Sequence, residues 1–259
     1  MSIPTEGYPL TAAVSPRVHV IESVDSTNAK LIRDAEDDPD GHPHLALLLT
    51  RDQRAGRGRL ARTWVTPPGT ALAVSVLLRV GAVAVHDRGW IPLVAGAAMV
   101  DAVAAQLPRR DVVLKWPNDV LVDGRKICGI LAEVLPTDPH AVVVGAGVNT
   151  NMAEADLPVP TATSFAALHE VADEDRLVAA FVAGLRDRIA DLAVGGGAAV
   201  AADVAERCAT IGQRVTVSLP DGTSLEGTVA RLDADGRLVV TTAEGVDTVV
   251  GAGDVVHVR

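Results

Sequence analysis

Apolar positions along the chain recur with two periods. Alternation marks "RVHVIES" from Arg17, whereas "LALLLT" and "ALAVSVLLR" are near-continuous apolar runs, the pattern of strands buried on both faces. "VVLKW", "DVLVDGRKICGILAEVL" and "AVVVGAGVN" extend the set, and Asp123-Gly124 between two apolar runs predicts a tight hairpin. Helical spacing governs "DSTNAKLIRDA", with Asp25, Ser26 or Thr27 as N-cap, and residues 90–106, which Pro108 closes. Residues 173–192 carry one apolar stripe of Leu177, Val178, Phe181, Leu185, Ile189 and Leu192, and Gly195-Gly196-Gly197 is expected to end that helix or to act as a joint.

After Ile211 the texture changes to short β-rich runs, "RVTVSL", "SLEGTVARL", "RLVVTT" and "DTVVGAGDVVHV", separated by Asp-Gly and Glu-Gly turns. A small SH3-like β-barrel is the economical expectation for 211–259. Residues 17–210 then form a larger α/β domain around a mixed sheet. Residues 1–16, polar and broken by prolines, are expected to be a flexible tail.

Hydrophobic residues make up 48% of the 259, enough for a sizeable core. The net charge of -10 disfavours binding to a nucleic-acid backbone, so any anion must be met by a local basic patch. Cys128 and Cys208 cannot make a disulfide framework and lack metal-ligand spacing, and neither a signal peptide nor a membrane span is visible; a cytoplasmic protein is expected. Lysine occurs only at 30, 115 and 126, which makes each retained lysine a question.

Positive charge gathers in "RDQRAGRGRLARTW", residues 51–64, between two strands of the expected sheet. Gly56 and Gly58 permit close backbone approach while Arg57, Arg59 and Arg62 supply guanidinium forks, an arrangement suited to a phosphate. A plain solvated basic loop is the alternative. "KWPND" sets Lys115, Asn118 and Asp119 around a turn, able to hold a phosphate and a Mg²⁺ ion, although taken alone the motif favours an ordinary turn with Trp116 in the core. Trp64 and Trp116 flank these motifs and could cover an adenine or simply pack. Lys126 either anchors an anion or points outward, and Ser26, Thr27 and Asn28 either cap a helix or contact a small polar ligand.

"DSTN", "QRAGRGRLARTW", "KWPND", "RKICGILAE" and "GAGVN", in this order and spacing, resemble the biotin protein ligases, monofunctional class, over nearly all of the chain. The resemblance implies a central mixed sheet flanked by helices, related to class II aminoacyl-tRNA synthetases, plus the small C-terminal barrel. It also implies a two-step reaction: biotin and ATP, with Mg²⁺, give biotinyl-5'-AMP, and the biotinyl group then passes to a lysine of a biotin carboxyl carrier domain. On this resemblance Ser26, Thr27, Asn28, Gln53, Gly56, Arg57, Arg59, Lys126 and Gly129 contact biotin. Arg57, Arg59, Arg62, Trp64, Lys115, Asn118, Asp119 and Asn149 serve ATP and the adenylate. Lys126, Arg59 and Asp119 are the catalytic candidates, with Asp119 also the Mg²⁺ ligand. The chain departs from the family's usual residues at Ala61, where glycine is usual, and at Ala146, where Ile or Val is usual. Neither nucleic acid nor membrane is expected as partner, and the family allows a homodimer through sheet edges. Two alternatives stay open: a lipoyl or octanoyl transferase of the same fold, and a non-catalytic biotin-sensing module.

Overall fold

The computed structural model describes residues 7–64 and 66–258. β1 (Val18–Val20), β2 (Leu47–Thr50), β5 (Ala71–Arg79), β6 (Val112–Lys115), β7 (Asp119–Val122), β8 (Arg125–Leu135) and β9 (Asp138–Asn149) build one sheet. Its order is β1-β2-β5-β9-β8-β7-β6, with β1 parallel to β2 and every other neighbour antiparallel. The loop between β2 and β5 carries its own short ladder, β3 (Gly56–Arg57) with β4 (Thr63–Trp64). Asp123 and Gly124 take φ of +49° and +77°, the left-handed pair that a two-residue hairpin needs, and so join β7 to β8 as the sequence predicts.

The period of two along the strands decides what each sheet face can hold. Leu72, Val74, Val76 and Leu78 of β5 face the main core with Val142, Val144, Ala146 and Val148 of β9. Helices α3 (Ile91–Ala104) and α4 (Glu174–Arg207) cover that face, and the predicted stripe from Leu177 to Leu192 is buried throughout. Each such side chain contributes roughly 1.5–3 kcal/mol of burial. On the other face Leu77, Ala141 and Val143 meet Leu31 and Ala35 of α2 (Thr27–Asp37). There β9 continues as Gly145 and Gly147, which leave room above the sheet: a Cβ at Gly147 would lie 2.8 Å from the Trp64 indole, and one at Gly145 would collide with Asn28.

Two expectations change. The segment from Tyr8 is no loose tail: α1 (Pro9–Val14) docks on the start of α4, where the Asp175 carboxylate accepts from the Leu10 and Thr11 N–H groups at 2.9 and 2.8 Å. Those are the amides that a helix start cannot satisfy internally, and Tyr8 is buried beside them with its hydroxyl donating to Glu174 at 2.9 Å. Residues 1–6 of the expected tail lie outside the described residues. The triple glycine does not end α4 either; Gly196, at φ +63° and ψ -163°, breaks it, and a second helical stretch runs on to Arg207. Asp87 caps that stretch by accepting from the Gly197 N–H at 2.9 Å.

The C-terminal strands β10 (Arg214–Ser218), β11 (Ser224–Leu232), β12 (Leu238–Thr241), β13 (Asp247–Val250) and β14 (Asp254–His257) form a separate antiparallel sheet, ordered β13-β12-β11-β10-β14. Their turns place Gly222, Gly236 and Gly245 at φ near +80°, as Asp-Gly and Glu-Gly turns require. The sheet is fastened to the larger domain by two indoles: Trp90 Nε1 donates to the Ala234 carbonyl at 2.8 Å and Trp116 Nε1 to that of Gly236 at 3.1 Å. The fold is the expected α/β architecture with a small C-terminal β domain.

Gly196→Ala should destabilise the fold by about 1–3 kcal/mol, because its backbone angles are open essentially to glycine alone, and a Cβ there would press on the Asp87 cap at 2.9 Å. Thermal unfolding should show the midpoint falling by several degrees; an unchanged midpoint would mean that the break is relaxed rather than glycine-dependent.

Candidate functional site

A cavity of about 500 Å³ opens on the α2 face of the main sheet, walled by the loop between β2 and β5, by "KWPND" and by the edge of β14. Its floor is the stretch where β9 lacks side chains. One end is polar and uncharged. Ser26 caps α2, its Oγ accepting from the Ala29 N–H at 3.4 Å, and Thr27 donates to Gln53 Oε1 through both its N–H and its Oγ1, at 2.8 and 2.9 Å. Gln53 thereby keeps its amide nitrogen free of those contacts. Gly56 leaves space for that nitrogen, since a Cβ there would collide with it and with the Trp64 carbonyl, although Gly56 itself stands behind the cavity wall.

The opposite end is cationic. The face that Lys126 takes is decided by a β-bulge: Val120 pairs with Cys128 but Leu121 with Lys126, so Ile127 is the extra residue. Ile127 and Cys128 both enter the main core, and Lys126 comes out on the same side as Gly129. Segment 161–163 holds it there, with the Lys126 N–H donating to the Thr161 carbonyl at 2.7 Å and the Thr163 N–H to the Lys126 carbonyl at 2.8 Å. The ammonium meets Asp119 at 2.6 Å. Gly129 is needed beneath it, for a Cβ would lie 3.1 Å from Nζ. Burial pushes the adjacent Cys128 thiol up to about 12, which leaves it an inert packing group.

Lys115 and Arg59 complete this end. Burial pulls Lys115 below the ordinary lysine range; Lys126 adds to the effect, while Asp119 and Asp254 oppose it. Burial likewise lowers Arg59, against Asp254 and Asp119 and with the help of Arg62. Among the described residues its guanidinium makes only long hydrogen bonds of 3.4 Å, to Asn118 Oδ1 and the Gly253 carbonyl. Two part-buried cations with their charge incompletely balanced create a positive potential that an anion would relieve.

Not every expected residue faces the cavity in the same way. Asn28 is consumed internally: its Oδ1 accepts from Ser75 Oγ at 2.6 Å and its Nδ2 donates to the Leu131 carbonyl and to Glu133. Arg57 is paired with Glu133 at 3.0 Å and Arg62 with Asp254. Asn118 donates to the Ile130 carbonyl at 2.7 Å and fixes the turn. Asn149 lies apart from the cavity, its amide donating to the Thr163 carbonyl at 2.9 Å and so bracing the segment that holds Lys126. Trp64 lines the cavity over Gly147, whereas Trp116 is a core residue that reaches the wall. Ala146 points into the main core with Val144 and Val148, so its size bears on helix packing first.

Residues that sequence patterns did not single out are Glu133, Ser218, Asp254, Val255 and Val256, the last four brought to the cavity by the edge of β10 and β14. Asp254 and Glu133 stand inside quoted motifs, and only the fold reveals which cations they face. Among the described residues no group of three or more His, Cys, Asp or Glu side chains could hold a metal ion, and no helix is long and apolar enough to cross a membrane.

Residues 20–149 match the biotin/lipoate A/B protein ligase family, and residues 210–258 match the biotin protein ligase C-terminal domain. The biotin--[acetyl-CoA-carboxylase] ligase of Mycobacterium tuberculosis is 39% identical over 248 residues, 94% of this chain and 90% of that one. The chain belongs to the biotin protein ligase family. The family's fold is seen in the biotin protein ligase of Aquifex aeolicus solved in complex with biotin and ATP, which superposes with a TM-score of 0.77 at 21% identity, covering 93% of this chain and 99% of that one. The biotin protein ligase of Leishmania major in complex with biotinyl-5-AMP gives 0.61 at 23% identity, over 92% and 99%.

Inorganic pyrophosphate is the simplest probe of the cationic end. Lys115 attracts it only while protonated, and the lowered pKa brings the loss of that proton to a lower pH than for a free lysine. Affinity should therefore fall earlier on the alkaline side for the wild type than for Lys115→Arg, which keeps its charge. Calorimetric titration across pH checks this; identical alkaline profiles would exclude Lys115 as the titrating group.

Proposed function

We propose that this protein activates biotin with ATP as biotinyl-5'-AMP and transfers the biotinyl group to a lysine of a biotin carboxyl carrier domain. The observation that carries the reading is the division of one cavity into a neutral polar end, at Ser26, Thr27 and Gln53, and a cationic end, at Lys115, Lys126 and Arg59. Biotin has the matching layout: a ureido ring that gives and accepts hydrogen bonds, an apolar chain, and a carboxylate. Trp64, Ile130 and Leu131 supply apolar wall between the ends. The names of the relatives support the same substrate and the same carboxylase-linked acceptor.

In the first step a carboxylate oxygen of biotin attacks the α-phosphorus of ATP, and the bond to the bridging oxygen breaks as pyrophosphate leaves with the electron pair. Both reactants are anions, so Lys126 and Arg59 lower the barrier by screening their repulsion and stabilising charge on the phosphoryl oxygens. In the second step the ε-amine of the carrier lysine attacks the acyl carbon and AMP departs. Asp119, drawn away from Lys126 when the substrate carboxylate takes the ammonium, is placed to accept the amine's proton.

Magnesium fits as a companion of the phosphates. Such an ion takes one or two protein carboxylates and keeps several waters, and Asp119 and Asp254 are both on the cavity wall. These two carboxylates would hold it, and it would supply neutralisation of the triphosphate charge. The chemistry belongs to residues 17–210, with the 211–259 strands closing one side through Asp254.

An octanoyl transferase that draws its acyl group from a carrier has no nucleotide to bind, so the cationic end weighs against it. The test is biotin-dependent exchange of labelled pyrophosphate into ATP, with octanoate and lipoate in parallel. Exchange is expected with biotin alone. Lys126→Ala should reduce it by at least a hundredfold and Arg59→Ala by about tenfold or more, the scale of losing one charged stabilising group. Wild-type exchange by Lys126→Ala, or exchange with lipoate in place of biotin, would overturn the assignment.

A further inference from the structure

The loop's three arginines are not equivalent. Arg62 reaches the C-terminal sheet at Asp254, Arg59 points to the cavity with only long neutral contacts, and Arg57 turns back to the main sheet, where it meets Glu133. Glu133 lies on β8 in phase with Gly129 and Leu131, at the outer rim of the cavity face. One of its oxygens, Oε2, is within 2.9 Å of Asn28 Nδ2 and 3.1 Å of Arg57 Nη2, while Oε1 is 3.0 Å from the same guanidinium nitrogen. A single carboxylate therefore touches both the start of α2, which bears the neutral polar end, and the loop, which bears the cationic end.

We propose that Glu133 is a positioning residue that sets loop closure: it clasps Arg57 to the sheet and thereby fixes where Arg59 stands. The proposal rests on the functional reading above for its substrate, but the geometry of the clasp is independent of it. The side chains are 23% and 48% exposed, so the pair is too wet to matter much for global stability. Its strength suits a bias between open and closed loop conformations, where a change of a few-fold alters retention of a bound ligand. Asn28 serves as the fixed side of the clasp, held by Ser75 and the Leu131 carbonyl, so that the carboxylate has little freedom to follow Arg57 outward. A second concavity lies on the outer side of the loop, lined by Arg57, Leu60, Leu131 and Glu133 among others. Loosening the clasp would merge it with the cavity across the shared wall.

Glu133→Gln keeps an oxygen for Asn28 and removes only the charge that Arg57 meets. Three measurements on the intact chain test it. Trypsin nicking after Arg59 and Arg62 in the ligand-free protein should become about two- to fivefold faster, the range open to an exposed ion pair. Release of pre-formed biotinyl-5'-AMP should quicken by a similar factor, and KM for biotin should rise with little change in kcat of exchange. Arg57→Ala should speed nicking in the ligand-free protein to the same extent, and adding Glu133→Gln to it should change nicking no further. Equal nicking and retention in Glu133→Gln and wild type, or additive losses in the double variant, would overturn the clasp. Should the wild type form no biotinyl-5'-AMP, the functional reading falls and nicking alone decides the clasp; unchanged thermal unfolding of both single variants excludes a general loosening.

Discussion

Like charges repel, and the constraint on which this structure turns is the confinement of Lys115, Lys126 and Arg59 around one small cavity. At the effective dielectric of a protein surface, two unit charges 4 Å apart interact by about 4 kcal/mol, so flexible cations would swing away into water. Here the backbone prevents it. A bulge directs Lys126, a short strand end holds Lys115, and the segment braced by Asn149 pins the Lys126 peptide. Asp119 offsets part of the repulsion without neutralising it, which leaves the cavity biased toward anions while the rest of the molecule is acidic.

The same economy governs the space. Gly145 and Gly147 open the cavity by omission, and their neighbours Val144, Ala146 and Val148 carry the core on the opposite face. One strand thus supplies hydrophobic stability and ligand room through its alternation alone. The loop above follows the same division of labour, with Arg57 and Arg62 anchoring opposite margins and Arg59 left between them.

Much of this was legible in the chain itself. The Asp123-Gly124 hairpin, the stripe from Leu177 to Leu192 and the glycine turns of the C-terminal sheet follow from local rules, and the fold follows from them. Most of the residues the family resemblance nominated also meet at one cavity. What escaped depends on long-range partners. A six-residue helix that begins at Pro9 has no stability of its own and exists because Asp175 receives its amides, so polarity and prolines read it as a tail. Strand periodicity could not place Lys126, because a bulge resets the phase. The family resemblance nominated Asn149 for the nucleotide side, yet its amide faces Thr163. Asp254 and Glu133 were ordinary surface acids until the fold showed which arginines they oppose.

The placement of tryptophan has an optical consequence. Of the three indoles, Trp90 and Trp116 are buried where the larger domain grips the turn at Ala234 and Gly236, Trp116 reaching the cavity only with its edge, while Trp64 stands over the cavity floor. The intrinsic emission of the protein is thereby divided by location: the response to ligand entry comes mainly from Trp64, and a red shift reports water reaching the seam between the two sheets at Trp90 and Trp116. The molecule carries separate built-in reporters for occupancy and for domain separation, with no label attached.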